Sequence, residues 1–203
     1  MVHNYPQAES EITNRDQEMN ALFKQPGHKN TEQALSILQD GVRHHGVRQV
    51  VVASTYGDTG LATAKIFTGT NINVIVVTHN AGFREQGSIE MSSGVRKEIE
   101  ALGARVYTGT MPFRNIGTAI REKQGCSQQD LIANTLRLLG QGIKVCVEIV
   151  LMASDAGLIA PDDILAVAGT SRGADTVALI SPASSNKFFD LKIRSILVKP
   201  VDW

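Results

Sequence analysis

Several classes of function are excluded by what this chain has little of. Only two cysteines occur in 203 residues, Cys126 and Cys146, and they have no metal-ligand spacing. A chain this long buries a sizeable core without covalent staples, so neither thiol needs a partner, and a reducing cytoplasm is the expected setting. Net charge is also absent, since 20 basic residues balance 20 acidic ones. Aromatics make up only 5 % of the chain and never interleave with a Lys/Arg cluster. Nucleic acid and anionic membrane surfaces are therefore not expected as main partners. The longest apolar run, near 145–153, is too short to span a bilayer and contains Glu148. The amino-terminal stretch is polar, with Glu9, Glu11, Asp16 and Glu18, and reads as neither signal peptide nor anchor.

Chemical motifs are missing as well. There is no GxxxxGK[ST] phosphate loop, no GxGxxG dinucleotide turn and no GxSxG nucleophile elbow. His44 and His45 are adjacent, so they are expected to point apart on a helix and share no metal. No metal site is expected and no residue is assigned a catalytic role. A ligand would have to bring its own phosphate.

Short β-branched runs alternating with helix-forming segments are what the chain does contain. They predict one α/β domain over residues 18–203, preceded by an arm over residues 1–17. Met19 to Lys24 reads as a short strand before the Gln25-Pro26-Gly27 turn. Asn30 has the place of an N-cap, with Gln33 three residues on and an apolar stripe at Leu35, Leu38 and Val42 ending near Gly46. Buried strands are expected at 49–53, 73–77, 105–107 and 164–168. Helices are expected at 61–68, around Val95 to Leu102, around Ile116 to Ile120, and from a Ser127 cap through Leu139. Lys144 to Met152 alternates like a strand, yet Glu148 to Ile159 reads as a buried helix. The helix is preferred, because a parallel crossover requires one before the next strand. Strands at 176–180 and 193–199 leave no room for helices between them, so the mostly parallel sheet gains an antiparallel edge. Exposed edge strands make a homo-oligomer an expectation.

Three expected strands empty into loops rich in Gly, Ser and Thr. In an open α/β sheet these carboxyl ends are where ligands sit. In the first loop Ser54, Thr55 and Thr59 carry hydroxyl donors, and Gly57 and Gly60 on either side of Asp58 permit close approach. Such a loop presents unpaired N–H groups and a favourable dipole to an anion, although the same residues also serve simply to cap a helix. The second loop holds Thr78, His79, Asn80, Gly82 and Phe83. His79 can act as acid or base, donate to a ring, or cap; Phe83 can stack on a planar ligand or fill a local pocket. The third holds Gly169, Thr170, Arg172, Gly173, Ala174 and Asp175. There Asp175 can accept from a ligand or close an Asx turn, and Arg172 can neutralise a phosphate or lie in solvent. Glu148, in the most apolar stretch, is either a functional carboxylate or, the preferred reading, a paired one.

The segment from Val50 to Thr59, followed by Val74-Ile75-Val76-Val77-Thr78, resembles the carboxy-terminal α/β domain of pyruvate kinase. The chain is still more similar to a family of small stand-alone pyruvate kinase α/β-domain-like proteins of archaea and bacteria. Pro26-Gly27 with Asn30-Thr31, Lys144 to Ile149, Ser171 to Thr176 and Asn186 to Asp190 carry that likeness, which covers residues 22–200. The resemblance implies a three-layer α/β/α sandwich and flavin mononucleotide (FMN) as cofactor. Ser54, Thr55, Gly57, Asp58 and Thr59 would then hold the phosphate. His79, Asn80, Gly82 and Phe83, with Gly169, Thr170, Gly173, Ala174 and Asp175, would line the ribityl and ring portions. No counterpart of the catalytic barrel occurs, so pyruvate kinase activity is not expected. The alternative is a non-catalytic module for a sugar phosphate; a phosphate-ester hydrolase ranks lower, for want of a nucleophile.

Overall fold

The computed structural model describes residues 21–203, so the arm expected over 1–17 and the residues leading into the first strand lie outside the described residues. The apolar runs are strands: β1 (Ala21–Phe23), β2 (Gln49–Ala53), β3 (Asn73–Val77), β4 (Arg105–Tyr107), β5 (Ile164–Ala168), β6 (Thr176–Ser181) and β7 (Lys192–Pro200). Between them lie α1 (Thr31–His45), α2 (Asp58–Phe67), α3 (Ser93–Ala101), α4 (Ile116–Gln124), α5 (Gln128–Arg137) and α6 (Gln141–Asp155). The strands join in the order β1-β7-β6-β5-β2-β3-β4. β6 runs against both its neighbours and the remaining pairings are parallel, which is the mostly parallel α/β sheet with an antiparallel side. β1 lies outside β7, along Val198 to Pro200.

Alternation along each strand splits the core in two. Val50, Val52, Val74, Val76, Leu165 and Val167 face one side, where Leu35 and Leu38 of α1, Ala64 and Phe67 of α2 and Ile99 of α3 cover them. Val51, Ile75, Val77, Ile164, Ala166 and Ile180 face the other, against Ile143, Val147, Val150 and Leu151 of α6 and Ala133 of α5. Each such leucine or isoleucine, fully buried, stabilises the fold by about 1.5–3 kcal/mol. The helices therefore lie on both faces of the sheet.

Four local expectations need correction. α2 begins at Asp58, three residues before Leu61, because Gly57 takes a left-handed φ of 103° that turns the chain straight into the helix. Asn30 precedes α1 without capping it: its carboxamide donates to Gln25 O at 2.7 Å instead. α6 takes in the whole strand-like stretch, starting at Gln141; a helix apolar on nearly every side is one buried on nearly every side. The rings of His44 and His45 meet edge to face with centroids 4.7 Å apart rather than pointing away from each other. Among the described residues no group of three or more His, Cys, Asp or Glu side chains is placed to hold a metal. No helix among them is long and apolar enough to cross a membrane. Both cysteines are free, Cys126 exposed and Cys146 buried, where burial pushes the thiol pKa far above its usual range.

From β2 the chain steps outward to β3 and β4, then returns to add β5 on the other side of β2. The order reverses between β2 and β5, and the crevice above that point is the place the fold offers a ligand.

Candidate functional site

At the carboxyl end of β2 the chain turns through Ser54 to Gly57 into α2. Ser54 is buried, and its Oγ accepts the Gly60 N–H at 3.0 Å. The Leu61 N–H bonds to Gly57 O at 2.7 Å. Of the first-turn donors these bonds take up Gly60 and Leu61 and leave those of Asp58 and Thr59, at the positive end of the helix. Both glycines of the loop are held against protein rather than left open. A Cβ on Gly57 would lie 2.2 Å from Val95 Cγ1, and one on Gly60 would lie 2.5 Å from Val76 Cγ1. Thr59 is buried.

An ion pair joins the loop after β5 to the start of α2. Arg172 Nε donates to Asp58 Oδ2 at 3.0 Å, with a second bond from its Nη2, and both side chains are exposed. The Asp58 hydrogen bond raises the Arg172 pKa further above its already high value. Tyr56 lies beneath, with the Arg172 and Arg84 guanidinium carbons 5.9 and 5.6 Å from its ring centre. Two cations therefore stand beside the free start of α2.

The rest of the β5 loop turns inward. Asp175 is fully buried; its Oδ2 accepts the N–H groups of Gly27 and Thr170 at 2.9 and 3.0 Å, and its Oδ1 accepts the Thr176 hydroxyl at 2.8 Å. Gly173, at φ 81°, backs onto the turn before α1, where a Cβ would lie 2.3 Å from Thr31 Oγ1. The Ala174 N–H donates to that same Thr31 oxygen at 3.0 Å. A Cβ on Gly169 would lie 2.4 Å from Gly173 O. Gly173, Ala174 and Asp175 thus close the loop onto the Gly27–Thr31 segment, with Gly169 packed against Gly173, the contact that links two of the motifs noted in the sequence.

Beyond β3, Thr78 is buried and ties the strand to its neighbour, its hydroxyl 2.7 Å from Thr108 Oγ1 and 2.8 Å from His79 O. Asn80 donates to Ala81 O and Gly82 turns the chain at φ 82°. His79 Nε2 lies 3.5 Å from Thr55 Oγ1, which joins this loop to the β2 loop. Its ring stacks on Phe83, centroids 3.7 Å apart at 26°, and the Arg114 guanidinium carbon lies 4.5 Å from the Phe83 centroid. With His79 stacked on one face, there is room for that guanidinium only on the other. Burial pushes the His79 pKa below its usual range, and Arg114 and Arg84 push the same way, against Glu90 and Glu148.

Glu90 has no precursor in the sequence reading. Both its carboxylate oxygens are buried with no hydrogen-bond partner, as are His79 Nδ1 and Thr170 Oγ1. Buried polar atoms are rarely left so in a finished protein, and here they mark places for a ligand or water. A single glutamate in a polar loop carries no pattern that would have singled it out. Glu148 is the paired carboxylate: it accepts the Phe113 N–H at 3.0 Å and forms a buried ion pair with Lys144 one helical turn earlier. Burial lowers the Lys144 pKa despite that partner.

No family model matches the chain. Its fold is similar to part of solved pyruvate kinases from Cryptosporidium parvum. One is 14 % identical with a TM-score of 0.40, over 75 % of this chain and 23 % of that one. Another, solved with ADP, is 15 % identical with a TM-score of 0.38, over 73 % of this chain and 23 % of that one. The chain thus spans about a quarter of those enzymes. The likeness concerns the arrangement of the backbone and says nothing of ligand or reaction.

Proposed function

We propose that the protein binds a phosphate-bearing small molecule in the crevice between the β2 and β5 loops, with FMN and a sugar phosphate as the two occupants to distinguish. The reading is carried by the start of α2. Its Asp58 and Thr59 N–H groups are not the ones taken up by Ser54 Oγ and Gly57 O, and Arg84 and Arg172 stand over Tyr56 in the same loop. A phosphate there would accept from both amides and take Arg172 in exchange for Asp58; charge-assisted bonds of this kind are about twice as strong as neutral ones. The unpartnered Glu90 carboxylate and His79 Nδ1 supply one acceptor and one ring nitrogen for hydroxyls further along the ligand.

The phosphate and a polyhydroxyl chain fit these groups. The flavin ring fits less well, because both faces of Phe83, the platform the resemblance implies, are already taken by His79 and Arg114. That observation favours the sugar phosphate. Bound FMN would supply redox chemistry through its own ring, with the protein positioning it. Phosphoryl transfer from phosphoenolpyruvate is no part of the reading.

The visible spectrum of freshly purified, gel-filtered protein separates the occupants. Flavin bands that persist favour FMN. Their absence, together with thermal stabilisation by a sugar bisphosphate, favours the second reading. Thr55→Glu, at a half-buried position of the β2 loop, places a carboxylate beside the phosphate and is expected to abolish either ligand. Binding unchanged in that variant, or no binding of either ligand, overturns the proposal.

A further inference from the structure

On the α6 side of the sheet, a cleft of about 380 Å³ opens between the segment leading into α4 and helix α5. Three arginines line it, Arg114, Arg121 and Arg137, against one acidic residue, Asp130; Cys126 stands at its wall and Phe113 is a buried lining residue. The chain as a whole carries no net charge. A local excess of two positive charges in one concavity is therefore a concentrated field, and concave low-dielectric walls focus it further.

The partners of the three arginines differ. Arg121 pairs with Asp130 at 3.3 Å. Among the described residues Arg137 donates to neutral oxygens, Gln141 Oε1 at 2.6 Å and Asn134 Oδ1 at 2.7 Å. Arg114 rests on the Phe83 ring. Among the described residues neither Arg114 nor Arg137 has a carboxylate within ion-pair distance. The start of α5 adds little, since Ser127 already accepts the Asp130 N–H at 3.1 Å. The guanidinium groups themselves are what the cleft offers.

We infer that this cleft is a second anion site, separate from the crevice at the start of α2, that takes a small organic phosphate of two or more negative charges. A planar carboxylate is filled by one guanidinium fork, whereas a tetrahedral phosphate accepts from two or three at once. The volume is that of a small-metabolite site and leaves room for a short organic body beside the phosphate. Arg114 borders both regions: it lines the cleft, and its guanidinium carbon lies 4.5 Å from the Phe83 centroid. The inference stands whether or not the strand-end crevice binds anything.

Cys126 is a built-in reporter. It is the exposed thiol in the cleft wall, while buried Cys146 has its thiolate suppressed. Alkylation of the full chain by iodoacetamide is followed with and without phenyl phosphate, with Cys126→Ser as the blank. The expected result is saturable protection at one equivalent. In Arg121→Gln/Arg137→Gln the apparent affinity falls by about tenfold or more, the loss of one charge-assisted hydrogen bond. Thr55→Glu leaves the protection unchanged, which separates this site from the crevice. Arg121→Gln alone, at an exposed position, gives the same direction should the double variant fold poorly. Absence of protection, protection that survives loss of the arginines, or protection lost in Thr55→Glu overturns the inference.

Discussion

The β2 and β5 loops look alike in sequence and end on the same edge of the sheet, yet they do opposite things. Both follow buried, mostly apolar strands and both are rich in Gly, Thr and Ser with one aspartate. In the β2 loop the aspartate points outward to Arg172 and two helix amides are left over. In the β5 loop the aspartate is swallowed, and its two oxygens hold Gly27, Thr170 and Thr176. Glycine marks close approach in both; only in space is it decided whether the approaching group is a ligand or the rest of the protein.

Substitutions turn this contrast into numbers. Asp175→Ala removes an acceptor from two backbone N–H groups and one hydroxyl at once, and should destabilise the fold by about 3 kcal/mol or more. Urea denaturation measures it; a loss below about 1 kcal/mol means the β5 loop is no internal clamp. Ser54→Ala in the partner loop removes one side-chain acceptor from a first-turn N–H and should cost about 1 kcal/mol in the same assay.

The smallest expected effect concerns pH and His79. Its pKa in the fold lies below the ordinary value of 6.5, so between the two the unfolded chain binds the extra proton. The stability this contributes is present above about pH 6.5 and declines as the pH falls toward the folded value. The urea midpoint of the unsubstituted protein should therefore drop more between pH 7.5 and 5.5 than that of His79→Gln. Parallel curves would mean that His79 is not held neutral by its surroundings.

How far the site could be read from the sequence follows from the same contrast. Val50 to Val52, Val74 to Val77 and Ile164 to Ala168 were legible as buried strands, because β-branched residues in short runs suit a sheet covered on both faces. The loops after them were legible as candidates through their composition. Their roles were not: Asp175 and Gly173 are spoken for by Gly27 and Thr31, some 140 residues away in the chain. Glu90 was invisible, since an orphaned carboxylate is defined by what surrounds it. So was the arginine cleft, whose three guanidinium groups come from separate elements.

By itself the sequence determined most of the strands and helices, that the sheet is mostly parallel, and which edge carries the hydroxyl-rich loops. Those properties depend on near neighbours: periodicity, branching at Cβ, glycine at turns. Only the tertiary structure decided that Glu148 is paired, that Phe83 has no free face, that Asp175 binds the protein's own backbone and that three arginines share one cleft. Each of these depends on burial and on partners distant in sequence, and a buried polar group takes its meaning from whether it is satisfied.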